Sequence, residues 1–174
     1  MQIVAQYLPN GADSTPEELV IDLESISPRW GQVVIAIPAR GICWKDSWRA
    51  MPYDCVLEFF SRAPAEYLVD NMAGTSKRLP DYLGFRAKTL TKLMRMRRNR
   101  EFERSEASSI YEMLSDSEYA HQADPKALAP IWGPDWWYAI STTPNPAYTE
   151  AMEIMDIAKK AVAAYLEKSH STTQ

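Results

Sequence analysis

Apolar residues fill the opening stretch QIVAQYL (2–8), and PNGAD follows it, so the pattern predicts a short strand ended by a turn. In STPEELVIDLESI, Leu19, Leu23 and Ile26 recur at helical spacing. Thr15 can cap that segment, Pro16 suits a first helical position, and Glu18 completes a capping box, so a helix is expected there. GQVVIAIPARG (31–41) is rich in β-branched residues and bounded by Gly and Pro, which predicts a buried strand. Strand, helix and strand in that order predict a right-handed βαβ unit.

Helical periodicity dominates after residue 50. PYDCVLEFFSRA and PAEYLVDNMAG read as two short helices, broken at Pro64, the second closed by Gly74. The polar link TSKRLPD leads into a helix expected to run from Leu83 to Arg104. Leu83, Ala87, Leu90 and Met94 share one face of it, while Lys88, Lys92 and Arg95 form a stripe roughly opposite. A break is expected between Ser105 and Ser109, with Ser109 and Glu112 as a capping box for a helix over IYEMLSDSEYAH. Five prolines between residues 124 and 146 predict an irregular loop. Asn145 and Pro146 open a last helix through about Lys168, with Met152, Met155, Ala158, Val162 and Tyr165 as its apolar stripe. The expected fold is α+β and predominantly helical. It is expected as one compact domain over residues 1–174, with a small N-terminal strand-helix-strand unit and about five helices.

The chain has 174 residues, enough to bury a core without a disulfide or metal. Cys43 and Cys55 are its only cysteines, a usage that favours a reducing compartment. The opening residues lack a basic n-region and a long apolar run, and VVIAIPA (33–39) is too short to span a bilayer. These features predict no membrane partner and a cytoplasmic protein, or a virion one if the source is viral.

Charge changes the picture. The net charge is −4, yet residues 76–104 hold ten Lys/Arg against three Asp/Glu, a local charge of +7. In LTKLMRMRRNREFER (90–104), Arg97, Arg98, Arg100 and Arg104 point in nearly all directions around a helix, and Phe102 is the only large apolar residue of its second half. No face of such a segment can be buried without an unpaired charge, so residues 96–104 are expected to project from the core. Arg95, Arg97, Arg98, Arg100 and Arg104 are therefore candidate contact residues. Their ligand is an acidic protein face or, as an alternative, nucleic acid gripped by residues 86–104. A solvated or self-paired face is the reading with the most weight against both, because Glu101 and Glu103 lie within a turn of Arg97 and Arg100.

Trp132, Trp136 and Trp137 cluster in PIWGPDWWYAI (130–140). They are candidate partner-binding residues, because Trp is enriched at interface hot spots and loops carry binding residues. They fit a lid on the helical core better still, and a base-stacking platform less well. Trp30, Trp44 and Trp48 flank the second strand as core or rim.

Candidate chemistry is sparse. Neither GxxxxGK[ST] nor GxGxxG occurs, and no Cys/His/Asp set has metal-ligand spacing, so no cofactor and no metal are expected. GICW (41–44) carries a Cys-Trp pair as in papain-like peptidases, with His121 as a distant base. The oxyanion glutamine expected before the cysteine is missing, and Cys43 reads as a buried structural residue. No catalytic residues are assigned.

The polar end EKSHSTTQ would be ordered only where neighbouring chains hold it, as in a virion or another multi-subunit assembly. The expectation is a non-catalytic interaction or assembly protein, of the kind of a phage-type structural or host-directed subunit. It would dock through the Arg-rich helix and the Trp-rich loop. A nucleic-acid-binding module and a small cysteine hydrolase are the alternatives.

Overall fold

The computed structural model describes residues 1–9, 14–116 and 125–171. The fold is α+β, with six α-helices, a four-stranded antiparallel sheet and a two-stranded one among those residues. The chain divides into two compact units, residues 1–77 with 145–174, and residues 78–144.

The first unit begins with a meander of β1 (Gln2–Tyr7), β2 (Glu17–Ser27), β3 (Trp30–Ile37) and β4 (Ile42–Trp48), paired in that order and antiparallel throughout. The helix expected over residues 14–26 is therefore a strand, and the βαβ unit does not form. The spacing of Leu19 and Leu23 fits both periods. Ile21 decides between them, because Leu19, Ile21 and Leu23 alternate with Glu18, Val20, Asp22 and Glu24. All three are at most 2% exposed, whereas Ile26, needed for the helical stripe, is 42% exposed. β2 is an inner strand, with Ile21 opposite Ile3 on one side and Ile35 on the other.

The same alternation organises β4. Ile42, Trp44 and Trp48 turn toward the core and are half-buried, while Cys43, Lys45 and Ser47 are exposed. Trp48 packs against Phe59 with ring centroids 5.0 Å apart. Trp30 is also half-buried.

Three helices cover one face of the sheet: α1 (Val56–Arg62), α2 (Ala65–Met72) and α6 (Pro146–Ser171). α1 lies on β2 and β3, α2 on β4, and α6 on β1 and both short helices. Val56 presses so closely on β3 that a Cβ at Gly31 would lie 2.6 Å from its own Cβ, which explains a glycine inside a buried strand. The buried stripe of α6 is Ala151, Ile154, Met155, Ala158 and Val162. Tyr165 is not part of it, being 42% exposed, and Leu166 makes the core contact there instead. None of the described helices is long and apolar enough to cross a membrane.

The second unit is held at its ends by a short ladder of β5 (Arg78–Pro80) with β6 (Thr142–Pro144). Between them run α3 (Tyr82–Arg98), α4 (Arg104–Asp116), α5 (Pro125–Trp132) and a 3-10 turn (Trp136–Ala139). Their core is Phe85, Leu93, Ala107, Ile110, Leu114, Ala127, Leu128 and Ile131. Residues 125–146 are thus largely structured, against the expectation of an irregular loop over 124–146. Ala127, Leu128 and Ile131 supply a buried helical stripe, and Pro130 sits near the end of α5, on its exposed side, where few hydrogen bonds are lost. Ser109 lies inside α4, which starts at Arg104, so the expected capping box at Ser109 is absent.

Candidate functional site

The basic helix α3 starts where Asp81 accepts a hydrogen bond from the Gly84 amide at 2.8 Å. That carboxylate lies so close that a Cβ at Gly84 would sit 2.0 Å from its Oδ2, so the cap and the glycine belong together. From Tyr82 to Arg98 the helix carries six Lys/Arg and no Asp/Glu.

The helix ends earlier than expected. Asn99 caps it, and Arg100 takes the left-handed conformation with φ of 63°. The Glu101 amide donates to the Met96 carbonyl at 2.9 Å, and the Arg100 amide to the Arg97 carbonyl at 3.0 Å. This pair of bonds is a Schellman closure, with an arginine in the place that glycine usually takes. The chain then turns, half-buries Phe102 against the second core, and enters α4. The expected helix to Arg104 is therefore two helices and an elbow. Met96 and Phe102 anchor the segment expected to project, while its arginines remain outside.

The buried face of α3 also differs from the expected one. Phe85, Thr89 and Leu93 face the core, with exposures of 0%, 0% and 2%. Leu83 and Met94, expected inside, are 67% and 53% exposed. The ring of Phe85 decides the rotation, because it packs between Trp132 and Trp136 at centroid distances of 5.7 and 6.2 Å. Thr89 is satisfied in the core by donating to the Phe85 carbonyl at 2.8 Å and accepting from Trp132 Nε1 at 3.0 Å.

Arg95, Arg97, Arg98, Arg100 and Arg104 are all exposed. Among the described residues none of them has a carboxylate within 4.0 Å. Glu101 instead accepts from the Asn99 side chain at 3.2 Å. These arginines do not form one cluster. Arg97 joins Met94, Ala107, Ser108, Tyr111 and Glu112 in a groove of about 330 Å³ between α3 and α4. Met94, Arg97 and Arg98 line a depression beside it. Arg95 lies on the other flank of α3, in a cavity of about 450 Å³ shared with Ala87, Lys88, Thr91, Lys92 and Trp132. Arg100 and Arg104 flank the elbow.

The tryptophans form a graded series. Trp132 and Trp136 are half-buried against Phe85, and Trp137 meets Trp136 edge-on at 6.0 Å with 48% exposure. Tyr138 continues the series at 5.8 Å and is 83% exposed. Trp132 and Trp136 thus close the second core, and only the Trp137–Tyr138 end is open.

Two residues of the α3–α4 groove escaped sequence reasoning. Met94 falls on the expected core face, and Tyr111, 50% exposed, carries no signal in a single sequence. Cys43, expected to be buried, is an exposed free thiol, because it occupies an outward position of β4 opposite Ala36. Its proposed base, His121, lies outside the described residues. Among the described residues no group of three His, Cys, Asp or Glu could hold a metal ion.

No curated protein and no solved structure matches the chain. A family model does match, over residues 19–164, and so spans most of both units. On that match the chain belongs to a phage family (Phage_phiTE_072).

Proposed function

We propose that the protein is a non-catalytic docking subunit that acts in a phage assembly, and that it binds an acidic protein surface through the exposed side of α3 and its groove with α4. The observation that carries this reading is the position of Met94 and Tyr111. Two large apolar side chains, each about half exposed, share the groove with Arg97 and Glu112, and Met94 also borders Arg98; among the described residues neither arginine has a carboxylate within 4.0 Å. Apolar anchors ringed by arginine are the composition of a protein interface, where the anchors supply affinity and the charges supply register and rate. A phosphate-gripping surface has no use for an exposed methionine at its centre.

The test is co-sedimentation of the purified chain with particles from phage-infected cells. Wild type should sediment with the particles, and a Met94→Ala/Arg97→Ala/Arg98→Ala/Tyr111→Ala variant should stay in the supernatant while keeping its circular-dichroism spectrum. Equal sedimentation of both proteins would overturn the proposal.

A second reading, a nucleic-acid module, is favoured by one feature: α3 has six cations and no acid along its length. It requires wild type to bind random DNA or RNA with an affinity that falls steeply, by roughly 10³–10⁵, between about 50 and 200 mM salt. A shallow salt dependence leaves the protein-docking reading in place.

A further inference from the structure

The cavity on the other flank of α3 has a different character from the docking groove. Its rim carries Lys88, Lys92 and Arg95, and its walls are Ala87, Thr91 and Trp132. Both lysines are held in place. Lys88 Nζ donates to Ser141 Oγ at 3.1 Å, and that hydroxyl donates to Asp81 Oδ2 at 3.4 Å, the same carboxylate that caps α3. Lys92 Nζ stands over the Trp132 ring, 3.9 Å from its centroid. Trp132 is itself fixed by Thr89 and Phe85. Among the described residues no carboxylate lies within 4.0 Å of Lys88, Lys92 or Arg95. Three cations therefore surround one concavity, two of them pre-positioned, Lys88 by a hydroxyl that it shares with the Asp81 carboxylate and Lys92 by an indole.

We propose that this cavity binds a phosphate monoester carried on a flat, weakly polar group, that is, a nucleotide-type ligand. The charge argues for phosphate. A carboxylate offers a single negative charge to three cations, whereas a phosphate monoester offers nearly two and three acceptor oxygens. The walls argue for the attached group, because an inorganic anion would leave the Ala87 and Thr91 surfaces without a partner. The volume, about 450 Å³, lies within the range of small-ligand sites and is far more than a bare phosphate fills. The cost of ordering two lysines on binding is low, since each already has an anchor. The source of the phosphate is either a free nucleotide or the 5′-phosphate of a nucleic-acid strand, which present the same chemistry to this site.

Calorimetric titration of the full chain at low salt tests the proposal, using adenosine monophosphate, adenosine, inorganic phosphate, and a short oligothymidylate with and without a 5′-phosphate. Adenosine monophosphate should bind saturably at one site, with adenosine and inorganic phosphate each at least tenfold weaker. Lys88→Gln/Lys92→Gln should weaken binding at least tenfold with the circular-dichroism spectrum unchanged. Tighter binding of the 5′-phosphorylated strand than of the mononucleotide would identify a strand end as the ligand, and the opposite order a free nucleotide. The proposal is overturned if neither phosphorylated probe gives saturable binding, if adenosine binds as well as its monophosphate, or if the double variant keeps wild-type affinity. None of these variants touches Met94, Arg97, Arg98 or Tyr111, so the outcome is separate from that of the docking test.

Discussion

Lys92 and Trp132 form a cation–π pair, with the ammonium 3.9 Å from the indole centroid, while the indole Nε1 donates to Thr89 one turn away on the same helix. One side chain of α5 is thereby tied to α3 at two points, one ionic and one neutral. Trp132→Phe keeps the ring contact with Phe85 and removes the hydrogen bond, leaving Thr89 with its bond to the Phe85 carbonyl alone. The expected loss is about 1–2 kcal/mol in the second unit. Lys92→Met should cost less, about 0.5–1 kcal/mol. Thermal denaturation of the two variants checks the order.

The elbow arginines should be nearly free to change. Arg97→Ala/Arg98→Ala removes two exposed charges near a helix C-terminus, and stability should move by no more than about 1 kcal/mol. Arg100→Gly should go the other way. A left-handed residue with a Cβ is strained by about 1–2 kcal/mol, so glycine should stabilise the elbow by up to about that amount, less its larger unfolded-state entropy. A urea titration in which Arg100→Gly lowers the midpoint would contradict the Schellman assignment.

Asn145 ties the start of α6 to residues 75 and 76. Its side chain donates to Thr75 Oγ1 at 3.0 Å and to the Ser76 carbonyl at 2.7 Å, and accepts from the Ala147 amide at 3.0 Å. It is 6% exposed and caps α6. Asn145→Ala should cost about 1–3 kcal/mol, the sum of a lost cap and unsatisfied buried groups. Hydrogen exchange should show the loss as faster exchange at the start of α6.

Alkaline pH should weaken the first unit. Burial pushes the Tyr7 phenol above its ordinary 10.0, and Glu150, which accepts its hydroxyl at 3.2 Å, pushes it further the same way. Burial and the Asp70 carboxylate do the same to Tyr148. A raised folded value favours the neutral phenol. The stabilisation is therefore complete below pH 10.0 and is lost as pH rises from there through the folded value. Tyr7→Phe should flatten the fall of stability above that pH and leave its neutral-pH slope unchanged.

The legible parts of the chain were those with one period and one punctuation mark. Pro64 and Gly74 bound α1 and α2 in the sequence as they do in the fold, and Asn145–Pro146 marks the start of α6. The α+β class could be read from those elements together with the strands over residues 2–8 and 31–41. Failures arose where two periods coincide. Leu19 and Leu23 are four apart and so satisfy a helix and a strand alike, and Ile21 between them, paired with Ile3 and Ile35, decides the matter. On α3 two apolar stripes compete, and the choice rests on the fit of Phe85 between two tryptophans distant in sequence. Both flanks of the candidate site follow from that choice. Lys88, Lys92 and Arg95 were visible as a stripe, but not that Trp132 would stand beside them.

The clasp of β5 on β6 has a topological consequence. Lys77 and Asn145 share a hydrogen bond, carbonyl to amide at 3.0 Å, so the first unit meets itself across the span from 78 to 144. The whole second unit is an insertion whose two ends leave and re-enter at one point. An insertion of that kind adds little to the entropy of closing its host, because closure cost grows only with the logarithm of loop length and the β-ladder shortens the effective loop further. The host can therefore carry inserts of other lengths and surfaces at the same junction. A chain in which a short turn joins Lys77 to Asn145 should keep every strand of the meander and all three of its covering helices, which its circular-dichroism spectrum would show.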